Sequence, residues 1–490
     1  MVIECVPGEE VPDPRPPSGP EGPTSTGENR DLAVPIGEAA AKIAREYHLQ
    51  DLVGLTQAFL DRLQGRSLGE LRDLKSELVA HLHPQLLLLA RSGFGLIVQD
   101  GVCPGAVTNA FTRANGASRY LLGGLTVVNA DARLLFDLPA QPGVAFHSID
   151  NGKRMEFFTG RFGKIRDLPG STILGVNGSI DEGRFTVYIS DREGDNAIGR
   201  FYAHPLKEAD GTSQWRGGQV VAAIGALHFL EGWIQRRLDH QQIITTSPDE
   251  LLAAMVEGGP LDEQRANIRR LKSVNDRFWR HLRREIQESQ HGGFVFGESF
   301  TGGAINSLFQ SLPRMARFVD YAVVWYHDRF KEAFGVDRSY LNPQRIASMT
   351  TVEEAAVGLL HNPPTTGAPG GVLVAPASRH TAVATSGWAS YPVPGKPDNF
   401  SICVRSSNHG HGVMYTAKLE VASSLDLPLG FIRKETTKQL GVAMSQLLIA
   451  RALGDIDPRT RERLEPQMTR LERFIEERAG AEPFIRRSAW

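Results

Sequence analysis

A chain of 490 residues is too long for one compact hydrophobic core, so two domains are expected. Its formal net charge of -2, from 54 basic and 56 acidic side chains, leaves no overall field to draw nucleic acid or an anionic membrane. The three cysteines, Cys5, Cys103 and Cys403, lie far apart and outside any C-x-x-C, which argues against a disulfide framework and against structural zinc.

No apolar run approaches the about 18 residues that span a bilayer. Glu4, Glu9 and Glu10 stand where a signal peptide would carry positive charge and an apolar stretch, so the expected location is the cytoplasm. Residues 1 to about 30 are rich in proline and glycine, and disorder is expected there. From Leu32 the spacing turns helical through I-G-E-A-A-A-K-I-A-R-E-Y and L-V-G-L-T-Q-A-F-L-D-R-L. A further helix runs through L-K-S-E-L-V-A-H-L, and Pro84 is expected to interrupt it.

Beyond that point the texture becomes α/β. Short β-rich runs, G-L-I-V from Gly95, L-L-G-G-L-T-V-V, S-T-I-L-G-V-N-G and R-F-T-V-Y-I-S, are bounded by turn residues, with A-V-T-N-A-F after the first of them. A closing helix runs through V-V-A-A-I-G-A-L-H-F-L-E-G-W-I. The second half repeats the plan: a charged helix from Glu263, then G-F-V-F-G-E-S-F-T-G-G, Y-A-V-V-W-Y, G-V-L-V-A, T-A-V-A-T, N-F-S-I-C-V and a last helix T-K-Q-L-G-V-A-M-S-Q-L-L-I-A-R-A-L. At a constant offset of 198, Gly303 falls on Gly105, Ala304 on Ala106, Phe309 on Phe111, Arg317 on Arg119 and Phe334 on Phe136. The expectation is an internal duplication whose two domains, 31–245 and 246–490, pack as a pseudo-dimer.

The chemistry gathers at G-E-S-F-T-G-G, Gly297 to Gly303. A strand ending at Phe296 and followed by a helix would put Ser299 near unpaired backbone amides, where Gly302 and Gly303 allow close approach. That arrangement suits a nucleophile with an oxyanion site, a phosphate cradle, or a helix-capping turn. Serine needs a base to act as a nucleophile. The next apolar stretch, V-V-W-Y-H-D-R-F-K, supplies Tyr326 and Lys331, and a lysine against apolar surface loses its proton more readily.

E-S-F-T-G-G followed by V-V-W-Y-H-D-R-F-K-E-A-F-G-V resembles the C-terminal domain of the CinA (competence/damage-inducible) proteins, the nicotinamide-nucleotide amidase family, over residues 270 to 455. The resemblance implies two α/β domains, each a central sheet flanked by helices. It implies hydrolysis of the carboxamide of a nicotinamide mononucleotide-like compound, with Ser299 as nucleophile and Tyr326 and Lys331 activating it, and with no cofactor or metal.

The N–H groups of Thr301, Gly302 and Gly303 would hold the oxyanion, and Ser386, Lys396 and Arg433 the ribose phosphate. Departures from the family pattern are Phe300 for a cysteine, Tyr321-Ala322 for a glycine pair, and Ser390 for a glycine. They are expected to reshape the pocket mouth. In the first half Gly101, Val128 and Arg133 occupy the three key positions, which implies a copy without chemistry.

The alternatives are a non-catalytic nucleotide-binding or scaffold protein, and an enzyme passing the acyl group to an amine. The expected partner is a small pyridine nucleotide-like substrate, with no nucleic acid and no membrane, and homo-oligomerisation is left open. Three further readings are structural. His409 and His411, in a glycine-rich loop without carboxylates or cysteines, are read as loop residues. Cys103 is read as a buried small side chain, and the arginine-rich helix from Arg269 to Arg284 as a solvated face.

Overall fold

Strands β1 (Gly95–Asp100) and β6 (Phe294–Glu298) carry nearly continuous apolar side chains, and both are buried on their two faces, as suits central strands of a parallel array. In the computed structural model the described residues are 51–114, 116–127, 171–191, 196–203, 211–238, 262–289, 293–312, 314–326, 328–333, 336–341, 346–361, 379–388, 398–408, 411–421 and 430–489. The proline-rich start, the G-V-L-V-A run, the boundary near 245, and Val128, Arg133, Lys396, Ser390 and His409 lie outside them.

In chain order the first half holds α1 (51–61), α2 (Leu68–Ala90), β1, α3 (Ala106–Phe111), β2 (Leu121–Val127), β3 (Ser171–Ser179), β4 (Arg184–Asp191), β5 (Asn196–Tyr202) and α4 (Gly211–Leu238). The second holds α5 (Asp262–Glu288), β6, α6 (Ala304–Phe309), β7 (Val319–Trp325), α7 (Asp328–Ala333), α8 (Met349–His361), β8 (Arg379–Trp388), β9 (Asp398–Asn408), β10 (His411–Val421), α9 (Gly430–Ile456), α10 (Pro458–Ala479) and β11 (Phe484–Ala489). At the offset of 198, α3 and α6 coincide residue for residue, and so do β2 and β7.

One mixed sheet of 11 strands runs β11-β10-β9-β8-β6-β7-β2-β1-β3-β4-β5, flanked by helices. Its middle is the antiparallel β2·β7 pair, in which Leu125 lies opposite Val323. Those two residues are themselves 198 apart, so the seam is self-complementary, and the strand order on one side mirrors that on the other. Residues 48–490 form one compact unit.

Helix composition follows burial. From Val220 to Ile234, α4 is enclosed on every side and apolar apart from His228 and Glu231, which bond to Thr56 and His81, and the middle of α9 is likewise enclosed. By contrast α5 buries Leu271, Phe278, Leu282 and Ile286, while Arg269, Arg270, Arg277, Arg280 and Arg284 face solvent, as expected of a solvated face. Two cores back the halves, one built on α2, α3 and α4 and the other on α5, α9 and α10. A third, on the opposite face under α8, joins Leu122 and Leu125 of β2 to Val323 and Trp325 of β7.

Pro84 does not break its helix. It sits inside α2 on the exposed side next to exposed Ala80, whose carbonyl loses its amide partner to water at little cost, while Leu82 and Leu86 hold the turn from the buried side.

Candidate functional site

β6 lies between β8 and β7 and runs parallel to both. Its last registered pairs are Glu298 with Val324 and Gly297 with Ala384. Ser299 and Tyr326 therefore follow the carboxyl ends of β6 and β7, and Ser386 lies near the end of β8, two residues past its final pair with β6, on adjacent strands about 5 Å apart. This is the edge of an α/β sheet where ligands bind.

Ser299 is 9% exposed, and its amide donates to Thr385 Oγ1 at 3.1 Å. Thr301, fully buried, shares a hydrogen bond of 3.0 Å between its Oγ1 and the same Thr385 hydroxyl. The capping reading of Ser299 fails, because the N-cap residue of α6 is Gly303, which has no side chain to cap it with. Its amides are taken instead by Glu298: Gly303 N and Ile305 N donate to Oε2 at 3.0 Å, and Asn306 N to Oε1 at 2.8 Å. Among the described residues the Ser299 hydroxyl makes no hydrogen bond.

The same amides correct the expected oxyanion site. Gly303 N–H is held by Glu298, and Gly302 N–H closes the turn onto the Ser299 carbonyl at 3.0 Å, so neither is open to a substrate. Those of Phe300 and Thr301 have no acceptor among the described residues. The glycine pair does permit close approach, with φ of 59° and 89°, but what approaches is the other half of the chain. A Cβ on Gly302 would meet Thr112 Oγ1 at 2.2 Å, and one on Gly303 would meet the Gly105 carbonyl at 3.0 Å.

Tyr326 is half-buried, and its hydroxyl donates to the Thr112 carbonyl of the first half at 3.5 Å. Burial pushes its phenol well above the usual range, so it keeps its proton. Lys331 on α7 is 3% exposed, with Nζ 3.2 Å from Asp328 Oδ1. Burial lowers the pKa of its amine, and Asp328 offsets part of that. No hydrogen bond joins Ser299, Tyr326 and Lys331 to one another among the described residues.

Ser386 is buried, with its hydroxyl bonded to the Ile346 carbonyl. Arg433 lies in the first turn of α9, its side chain outside the described residues. Phe300 and Tyr321 do not line a pocket mouth, which corrects the expectation for both. Phe300 stacks on Phe400 at 4.4 Å, inside the core against Gly441, and Tyr321 is 1% exposed with its hydroxyl on the Leu359 carbonyl.

Sequence reading missed two lysines on α9. Lys438 is fully buried and donates to Asn109 Oδ1 at 2.6 Å and Thr112 Oγ1 at 2.7 Å, and burial drives its amine far down. Glu298 acts on it electrostatically from beneath the serine turn. Lys434 reaches the Ala114 carbonyl at 2.9 Å and lies 6.0 Å from the Tyr326 ring centroid; burial brings it down to about 8. The available signal was the i, i+4 pair of lysines in K-E-T-T-K-Q, on a helix whose next residues are apolar all round.

In the first half the position matching Ser299 is closed. A Cβ on Gly101 would meet Asn177 Oδ1 at 2.1 Å, and Asn177 is itself held by Gln99. The carboxylate beneath is kept: Asp100, 198 residues before Glu298, accepts from Thr108 N at 3.1 Å and Oγ1 at 2.6 Å. Cys103 beside it is a buried free thiol, as expected.

Residues 281–368 match the CinA C-terminal domain family. That CinA-like stretch contains Ser299, Tyr326 and Lys331. No curated protein matches the chain. Among solved structures, the competence/damage inducible protein CihA from Agrobacterium tumefaciens is 13% identical, covering 33% of this chain and 93% of its own, with a TM-score of 0.25. A CinA superfamily protein from Klebsiella pneumoniae is 15% identical, covering 36% of this chain and 98% of its own, with a TM-score of 0.27. One from Enterobacter cloacae is 18% identical, covering 36% and 92%, with a TM-score of 0.26.

Among the described residues no cluster of histidine, cysteine or carboxylates could hold a metal, and no helix is long and apolar enough to cross a membrane.

Proposed function

We propose that the chain hydrolyses the carboxamide of a nicotinamide mononucleotide-like compound, with Ser299 as nucleophile. The observation that carries this reading is the unspent Ser299 hydroxyl at the carboxyl end of β6, in a CinA-like stretch that also holds Tyr326 and Lys331. In this reading Lys331 accepts the serine proton, a role that its lowered amine pKa supports, and Tyr326 orients the exchange. Ser299 Oγ bonds to the carboxamide carbon, ammonia leaves, and water then cleaves the acyl-enzyme. The amides of Phe300 and Thr301 are the donors left for the oxyanion. Ser386, Lys396 and Arg433 remain the proposed phosphate contacts.

We further infer that the halves are a tandem duplication packed as a pseudo-dimer, the first copy having lost its site at Gly101. The mirrored strand order about β2·β7 supports this.

A second reading is a nucleotide-binding or scaffold protein without turnover, favoured by the engaged Gly302 and Gly303 amides and by the Tyr326 hydroxyl on Thr112. Ammonia release from nicotinamide mononucleotide separates the two. Amide hydrolysis expects turnover that Ser299→Ala and Lys331→Met each lower by about a thousandfold or more. No ammonia, with nucleotide binding untouched by Ser299→Ala, sinks the amidase reading. A new amide formed with an added amine would instead mark acyl transfer.

A further inference from the structure

On the helical side of the sheet, a cavity of about 120 Å³ lies where the two halves meet. Arg72 and Lys75 of α2, Arg113 after α3, Arg216 of α4 and Lys272 of α5 line it, and none of them belongs to the serine site. Asp276 and Glu435 form ion pairs with three of these five cations, while Asp73 acts on Arg72 and Asp100 on Lys75 only electrostatically. Asp276 binds Arg216 at 3.0 Å, and Glu435 lies 3.0 Å from Lys272 and 3.4 Å from Arg113 Nε.

The pairing is incomplete. Arg113 Nε and Glu435 Oε2 are buried and make no hydrogen bond to each other or to anything else. Lys75 is 5% exposed, and among the described residues its ammonium meets only the neutral Ala106 carbonyl, at 3.3 Å. Burial, and after it Arg113, Lys272 and Arg72, bring Lys75 down to about 7, while the buried carboxylate of Asp100 acts on it electrostatically without a hydrogen bond to it. A buried cation that no carboxylate pairs directly is costly, and a bound anion offsets that cost.

We propose that this cavity binds a small tetrahedral oxyanion, inorganic phosphate or the phosphoryl group of a phosphomonoester, on Arg72, Lys75 and Arg113 between the two halves. The guanidinium forks match oxyanion geometry, and Lys75 adds a point charge from the cavity wall. Ser307 on the α6 side offers a hydroxyl to a remaining oxygen, whereas the Ser311 hydroxyl is held by the Leu308 carbonyl at 2.7 Å and by Arg216 at 3.1 Å. The volume suits one such ion and falls well short of the about 300 Å³ at which pockets for larger organic ligands begin. Because the anion contacts both halves, its binding stabilises the folded chain as a whole.

Thermal unfolding of the full chain, titrated with inorganic phosphate and in parallel with glycerol 3-phosphate, tests the site against sodium chloride at matched ionic strength. The expected result is a saturable rise in Tm with phosphate, whose midpoint concentration moves up by about tenfold in Lys75→Met and in Arg72→Gln. Ser299→Ala leaves that midpoint unchanged, so the anion site and the amide chemistry fail separately. Saturation by phosphate alone assigns the free ion, and saturation by both compounds assigns a phosphoryl group. A Tm that merely follows the chloride series overturns the proposal, as does an unchanged midpoint in whichever of the two variants folds. Broadening of the phosphorus NMR line of phosphate by the wild-type chain, lost in a Lys75→Met chain whose circular dichroism is unchanged, gives a readout that needs no melting transition.

Discussion

Glu298 shows how one side chain decides what its neighbours can do. Its carboxylate, fully buried, accepts three amides at the start of α6, so it replaces both a serine cap and a bound anion at that helix end. Asp100 does the same for α3 through Thr108, and burial raises it to about 6. Replacing Glu298 with Gln leaves one acceptor oxygen and turns an amide donor towards backbone donors. Glu298→Gln is expected to destabilise the fold by about 2–4 kcal/mol, measured by urea denaturation. A loss below about 0.5 kcal/mol would mean that the carboxylate is not what holds the turn.

Among the elements, α3 and α6 set the spacing of the two halves. Each begins with a glycine in the left-handed region, Gly105 at φ 68° and Gly303 at φ 89°, and the two stand against each other. A Cβ on Gly105 would come within 2.6 Å of the Gly303 carbonyl, a backbone atom that cannot swing away. Gly105→Ala is therefore expected to cost about 2 kcal/mol or more, from positive φ and the clash together. Gly54→Ala, at an exposed position of α1 with nothing within 4 Å of the new Cβ, should instead stabilise by about 0.5–1 kcal/mol. Equal effects from the two in denaturant melts would refute this account of the helix contact.

Across the whole molecule, β2·β7 joins the halves into one sheet, and the core under α8 crosses that seam through Leu125 and Trp325. Lys438 adds a polar tie, reaching from α9 to Asn109 and Thr112 of the first half. Shared backbone and shared core make unfolding of one half expose the other. Calorimetry should therefore show one cooperative transition for residues 48–490, and Gly105→Ala should lower all of it. Two resolved transitions, only one of them moved by the substitution, would mean that the halves are independent.

Much of this was legible in the sequence, because local pattern reports local structure. The strands at Gly95, Leu121, Ser171 and Val319 and the enclosed helices α4 and α9 follow from apolar runs and their period. So does the match of Ala106–Phe111 to Ala304–Phe309 at a fixed offset. Helix α2 runs on through Pro84 because the burial of Leu82 and Leu86, a tertiary fact, outweighs one lost hydrogen bond.

The motif around Ser299 and its intervals to Tyr326 and Lys331 were likewise set by sequence alone. Only the tertiary structure decided what those residues face. It filled the space beside Gly302 and Gly303 with Thr112 and Gly105, drew Phe300 into the core, and brought Lys438 onto Asn109 and Thr112, within electrostatic reach of Glu298, from far along the chain. It also gathered Arg72, Lys75, Arg113, Arg216 and Lys272 from four separate segments around one cavity. Spacing along a strand or helix is fixed by backbone geometry, whereas burial and charge at a site depend on segments whose separation in sequence carries no trace of their meeting.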